Sequence, residues 1–146
     1  MGFLIDTNVI SELRKSARCD PQVSTWFQSV VEDDIFLSVL VIGEVRRGIE
    51  KARPRDPLKA AALENWLKEL VTSYRRRILP ISTEIAERWG RLSVPDPLPV
   101  VDGLLAATAL VHRLTLVTRN TDDVKRTGVV LLNPFLGTPT TPAQES

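Results

Sequence analysis

Four apolar runs in this chain each lead into an acid or its amide. Phe3-Leu4-Ile5 runs into Asp6, Ser38 to Gly43 into Glu44, and Pro99-Val100-Val101 into Asp102. Leu114 to Thr118 leads to Asn120, with Asp122 and Asp123 behind it. A carboxylate beside a core-forming segment is costly to bury without a partner, and one hard cation would serve all of these groups together. Oxygen ligands suit Mg2+, with Mn2+ as a substitute, and such a centre polarises a phosphodiester and activates water for in-line attack. Other chemistry lacks its parts. Cys19 is the only cysteine and His112 the only histidine, which leaves too little for a zinc site of His and Cys or for a His-based nucleophile relay. Any catalysis falls to carboxylates.

Each acid also has a purely structural reading. Asp6 would cap a turn through the amides of Asn8 or Val9. Glu44 would pair with Arg47 at i+3, and Asp102 would be an ordinary acid at a helix N-terminus. Asn120 before Asp122 and Asp123 would be a plain loop. Taken one at a time, those readings suffice; taken jointly, they do not. Ala106 and Ala109, near Asp102, are small enough to let their helix approach the strands, and Gly48 clears space one turn from Glu44. Neither acid is placed as a solvated surface charge would be.

The elements that must position these groups alternate between strand and helix. Strands are expected at Phe3–Asp6, Ile35–Ser38, Leu114–Thr118 and Val129–Leu132, and Ile78–Ile81 reads as strand or extended linker. Asp20-Pro21 and Asp56-Pro57 are helix-start signals, and Ser82 is a third. Apolar stripes follow: Val23, Trp26, Phe27 and Val30; Leu63, Trp66, Leu67, Leu70 and Tyr74; Ile85, Trp89 and Leu92. Segment 39–53 carries Val41, Val45, Ile49 and Ala52 at helical spacing. Val101, Leu104, Leu105, Thr108, Ala109 and His112 share one face of another helix. Proline density makes 95–99 a loop. This alternation implies a parallel α/β sheet covered on both faces, with ligands beyond the carboxyl ends of its strands. Asp6 and Asn120 both fall on that edge.

With 146 residues, 43% hydrophobic and 25% charged, the chain is sized for one soluble domain with a real core. Its polar, proline-containing end, 137–146, is expected to be a flexible tail. No apolar run approaches the roughly 18 residues of a membrane span. With no secretory signal and a single cysteine, the expected location is cytoplasmic. A net charge of +1 excludes nucleic-acid binding through bulk charge, but the basic residues are clustered: Arg14, Lys15 and Arg18; Arg46, Arg47, Lys51, Arg53 and Arg55; Arg75, Arg76 and Arg77. Local clusters still track a phosphate backbone. The third cluster reads more simply as a helix C-terminus opposing its dipole.

The motifs LIDTNVISEL (4–13), VIGEVRRGI (41–49), VVDGLLAATAL (100–110), LTLVTRNTDDV (114–124) and VVLLNP (129–134), taken in order, resemble the PIN domain. More narrowly, they resemble VapC/FitB-like toxins of type II toxin–antitoxin pairs. The resemblance implies a five-stranded parallel sheet flanked by helices, in a nuclease domain spanning 1–136. It also implies an Mg2+-dependent ribonuclease with an RNA substrate, a cognate antitoxin protein and a homodimer. Matched residue by residue, Asp6, Glu44 and Asp102 take the family's first three acidic positions. Asp6 and Asp102 become metal ligands, and Glu44 a ligand or the base that deprotonates water. The fourth position falls on Asn120, where some relatives carry aspartate; an amide orients but supplies no charge, so a second ion would be held weakly. Asp123 matches another position that is often acidic, while Asn8 and Thr118 match polar positions that hold the acids in place. Arg14, Arg46 and Arg47 are expected RNA contacts on charge and nearness in sequence alone. Trp66, Leu70 and Tyr74 are candidates for the dimer surface, although Trp66 and Leu70 read more readily as packing into the chain's own core.

Competing functions fit less well. A haloacid-dehalogenase-type phosphatase wants an aspartate where Asn8 stands. A receiver domain wants an acid pair at the end of the first strand and a phosphorylatable aspartate at the end of the third. A PIN-like RNA- or protein-binding module with a decayed site remains the alternative, kept open by Asn120.

Overall fold

The computed structural model describes residues 1–136, so the expected tail at 137–146 lies outside the described residues. The apolar runs become five short strands: β1 (Phe3–Ile5), β2 (Ile35–Ser38), β3 (Ile78–Leu79), β4 (Thr115–Val117) and β5 (Leu131–Leu132). All pair in parallel, in the order β3-β2-β1-β4-β5. Leu4, Ile5, Ile35, Leu37 and Val117 are fully buried, as required of strands covered on both faces. The last two strands are shorter than the apolar runs suggest. Leu114 and Val129 are buried beside the sheet but stand outside its ladder.

Among the described residues seven α-helices flank the sheet: α1 (Thr7–Leu13), α2 (Pro21–Gln28), α3 (Val39–Ala52), α4 (Pro57–Ser73), α5 (Thr83–Leu92), α6 (Val100–His112) and α7 (Thr121–Val124). The expected start signals operate. Asp20, Asp56 and Ser82 each accept a backbone N–H from the helix that follows, and Ser38 does the same for α3. The stripes of α3 and α4 bury Val41, Val45, Ile49, Leu67 and Leu70. Tyr74 is also buried; Leu70 and Tyr74 therefore belong to the chain's own core and do not offer a dimer surface. Arg77 donates to the carbonyls of Ser73, Glu32 and Ile35, the helix-end role expected of that cluster.

Helix α6 departs from the single stripe read in the sequence. Gly103 and the whole run Leu105–Ala109 are buried, while His112 is exposed at the helix end, where Arg113 adopts a left-handed φ of 57°. The helix is packed on more than one side, so a one-face stripe understates it. Gly103 sits in a close contact. A Cβ would lie 3.0 Å from Trp89 Cδ1 and 3.2 Å from Leu98 Cβ, tighter than ordinary contact, so the glycine lets α5 approach closely the first turn of α6, which carries Asp102.

The strand order sets the location of any site. The chain moves outward from β1 through β2 to β3, then returns to place β4 on the other side of β1. The switch point therefore lies between β1 and β4, and α/β sheets open a crevice beyond the carboxyl ends of the strands at such a point.

Candidate active site

Register brings the ends of β1 and β4 level, because Ile5 stands opposite Val117 and the Asp6 N–H donates to the Val117 carbonyl at 2.9 Å. Asp6 and Thr118 are thus neighbours just past the sheet. Asp6 is only 5% exposed, and its carboxylate is held from three sides. Oδ1 accepts the Thr7 N–H at 2.7 Å, while Oδ2 accepts the Thr118 hydroxyl at 2.7 Å and the Asn8 amide at 3.3 Å. Asp6 thus caps α1 and also faces the crevice.

The cap differs from the sequence expectation. The backbone donor is Thr7, and Asn8 contributes its side chain in place of its main-chain amide. Asn8 also donates to Thr118 Oγ1 at 3.4 Å and accepts the Arg119 N–H at 3.2 Å, and Thr118 Oγ1 accepts the Asn120 N–H at 3.0 Å. One amide side chain thereby ties α1 to the loop after β4.

Glu44 arrives from α3, which starts at the carboxyl end of β2. The Thr7 hydroxyl donates to its Oε1 at 2.5 Å, and the pairing with Arg47 that its spacing suggested is not among the ion pairs of the described residues. Asp102 projects from the first turn of α6. Together Asp6, Glu44, Asp102 and Asn120 line one cleft of about 400 Å³, shared with Thr7, Asn8, Arg47, Gly48 and Lys51.

Comparison with known proteins gives the family. Residues 3–130 match the PIN domain family. The chain belongs to the PIN-domain family. Toxin FitB of Neisseria gonorrhoeae is 31% identical over 140 residues, covering 91% of this chain and 98% of the relative. Ribonuclease VapC1 of Rickettsia felis is 32% identical over 132 residues, covering 86% and 90%. The crystal structure of FitAcB from Neisseria gonorrhoeae superposes with a TM-score of 0.81 at 29% identity, covering 91% of this chain and 98% of that one.

The electrostatics of this PIN-domain cleft are lopsided. Burial pushes the Asp6 carboxyl above its usual range, against the hydrogen bonds from Thr118 and Thr7 that pull it down. Asp102 is pushed up to about 6, first by burial and then by the charges of Asp6, Asp123 and Glu44. None of the ion pairs among the described residues involves Asp6, Glu44, Asp102 or Asp123. Like charges kept together and unpaired are what a cation would relieve.

The donors are all carboxylate and amide oxygens, which fits a hard divalent ion. Among the described residues, however, no three acidic, His or Cys side chains are drawn together tightly enough to chelate one. Glu44 is held toward Thr7 and Asp6 toward Thr118. An Mg2+ ion would not need a tighter cluster, because it binds through one or two carboxylates and keeps several waters.

The basic candidates separate. Arg47 lines the cleft. Arg14 lies over the Trp66 ring, 5.8 Å from its centroid. Arg46 is instead engaged by Glu64 and Glu50 on the outer side of α3. Two cleft residues escape a reading of the sequence as site residues: Thr7, and Lys51, which was read only within a basic cluster. Gly48 lines the cleft beside Glu44 as its spacing suggested, and Lys51 follows Glu44 at i+7 on the same helix face, a spacing that would have marked it once Glu44 was placed.

Proposed function

We propose that this protein is an Mg2+-dependent ribonuclease, the toxin of a type II toxin–antitoxin pair, acting on RNA in the cytoplasm as a homodimer and neutralised by a cognate antitoxin protein. The observation that carries the reading is the convergence of Asp6, Glu44 and Asp102, from three separate segments, on one cleft at the switch point with their charges unpaired. The names of the relatives, a toxin and a ribonuclease, support it.

Asp6 and Asp102 are the residues that would hold the cation. When bound, it would polarise the phosphodiester and lower the pKa of the attacking water. Thr118, Asn8 and the Thr7 amide fix the Asp6 carboxylate before substrate arrives, which limits reorganisation during the reaction. Glu44 is anchored through Oε1 by Thr7, leaving Oε2 to accept the proton the water gives up. Asn120 at the rim orients without adding charge, and Asp123 supplies a further carboxylate beside Asp102. Arg47 and Lys51 on the α3 wall neutralise phosphates flanking the cut.

Asn120 favours one rival, a PIN-like module that binds RNA or protein without cutting. Incubating the purified protein with a structured RNA in Mg2+ separates the two. Cleavage that disappears in EDTA and in both Asp6→Ala and Asp102→Ala is the expected result, and sequencing the new RNA ends identifies the target. RNA binding with no metal-dependent cleavage would select the rival.

A further inference from the structure

The acidic cleft does not stop at Glu44. Thr7, Glu44 and Gly48 also line a second cavity, of about 270 Å³, that runs on between α1, α3 and α4. Its wall is apolar, with Ile49 fully buried and Leu63 and Trp66 partly so. Ser11, Arg14 and Lys59 bring hydrogen-bond donors to it. Arg14 stands over the Trp66 ring, so an aromatic face and a guanidinium meet in one small space.

Gly48 sits at the junction of the two cavities. It lies in the interior of α3, where glycine is a poor helix former, yet a Cβ there would meet nothing within 4 Å. Gly103 contrasts with it, since its missing side chain makes room for Trp89. The protein's own packing gives no reason for a glycine at 48. What the missing side chain leaves open is the passage from the acids to Trp66.

We infer that this second cavity seats one nucleobase of the RNA, the base adjoining the phosphodiester held at Asp6 and Asp102, and so decides beside which base the strand is cut. The inference rests on the nuclease reading above. Splayed bases are recognised by stacking on aromatic rings and arginine planes and by hydrogen bonds to their edges, and both kinds of group are present. The volume takes a single planar base, whereas a partner's helix, about 10 Å across, does not enter. The rims are cationic, with Arg47 and Lys51 on the cleft and Arg14 and Lys59 on the cavity. None of these four takes part in an ion pair among the described residues. Such rims suit a polyanion.

Two measurements on the full chain test this. The first is kcat/KM in Mg2+ on short single-stranded RNAs with one cleavable linkage, varying the base on each side, for the wild type, Gly48→Leu and Trp66→Ala. Gly48→Leu fills the junction while replacing a poor helix former with a good one, so a normal thermal melt shows that the fold survives. The wild type is expected to prefer one base at one side by about tenfold, the discrimination that hydrogen bonds to one base edge supply while Trp66 holds the base in place. Both variants should flatten that ratio.

The second measurement is quenching of Trp66 fluorescence by RNA dinucleotides in EDTA, where the metal-dependent cut cannot proceed, with Trp66→Phe to assign the signal. The quench should be present in the wild type and lost in Gly48→Leu. Cleavage with no base preference, or a preference kept in both variants, overturns the base seat and leaves the nuclease standing. That outcome includes a cavity that serves a protein partner. A Gly48-dependent quench without cleavage keeps the seat as an RNA contact and removes the nuclease reading, and neither signal removes both.

Discussion

Helix α3 carries charge on two sides, and the two are treated in opposite ways. On the outer side Arg46 donates to both oxygens of Glu64, at 2.8 and 2.6 Å, and to Glu50 at 3.1 Å, while Arg53 reaches the same two acids. The two guanidiniums hold the Glu64 carboxyl down at about 2, and those of Arg46 and Arg53 are themselves raised by their acids. On the inner side Glu44 faces Asp6 and Asp102, whose carboxyls are raised, and Arg47 and Lys51 line the same cleft without pairing to them. A helix that satisfies its charges readily on one side and leaves them unmatched on the other marks the unmatched side as a place for an outside charge. Perturbed acids clustered in a cleft carry that meaning more often than exposed ion pairs do.

The largest break in this contrast comes from the acids themselves. Asp6→Asn and Asp102→Asn should each remove metal-dependent RNA cleavage, by more than the ~100-fold at which supporting residues top out. Single-turnover assays on folded protein measure this directly. Thr118→Val and Thr7→Val keep every acid but free Asp6 or Glu44, and a loss of about 10–100-fold is expected from each.

Stability should move the other way. The Asp102 carboxyl is raised from its ordinary 3.8 to about 6 in the folded chain, so folding favours its protonated form. That contribution is full below about pH 4 and is lost as pH rises through about 6. Above that, the ionised acid opposes folding. In EDTA at pH 7.5, Asp102→Asn should therefore stabilise the protein by about 1 kcal/mol, after allowing for the screening of a partly exposed group. The melting temperature should rise by about 2–4 °C, and the gain should vanish below about pH 4. A variant that melts earlier at both pH values would contradict the electrostatic account.

The smallest effect belongs to the outer side. Arg46→Ala should lower the melting temperature slightly, and high salt should erase the difference. Arg47→Ala should weaken RNA binding and reduce its salt dependence more than Arg46→Ala does. Equal effects on RNA would return Arg46 to the role that its charge alone suggested.

Much of this arrangement was legible in the residues, for identifiable reasons. Asp20-Pro21, Asp56-Pro57 and Ser82 act locally, each capping the very next turn, so their helices begin where the caps say. Asp6 and Asp102 stood out because core-forming segments adjoin them. Helices α1 and α7 were not legible. Each follows a strand end directly and is too short to show a 3.6-residue period, so Asp6 read as a turn cap and Asn120 as a loop. His112 shared the spacing of the α6 face but lies at the last turn, where the helix leaves the core. Thr7 was hidden because its partner, Glu44, is 37 residues away, and no local pattern encodes that hydroxyl contact.

The most direct test of the central claim is a titration of Mn2+, read by electron paramagnetic resonance, into the wild type, Asp6→Asn and Asp102→Asn, with an uncleavable RNA present. Saturable binding in the wild type that is lost in both variants is expected. Binding of equal strength in all three, or none in the wild type, would contradict the shared cation site.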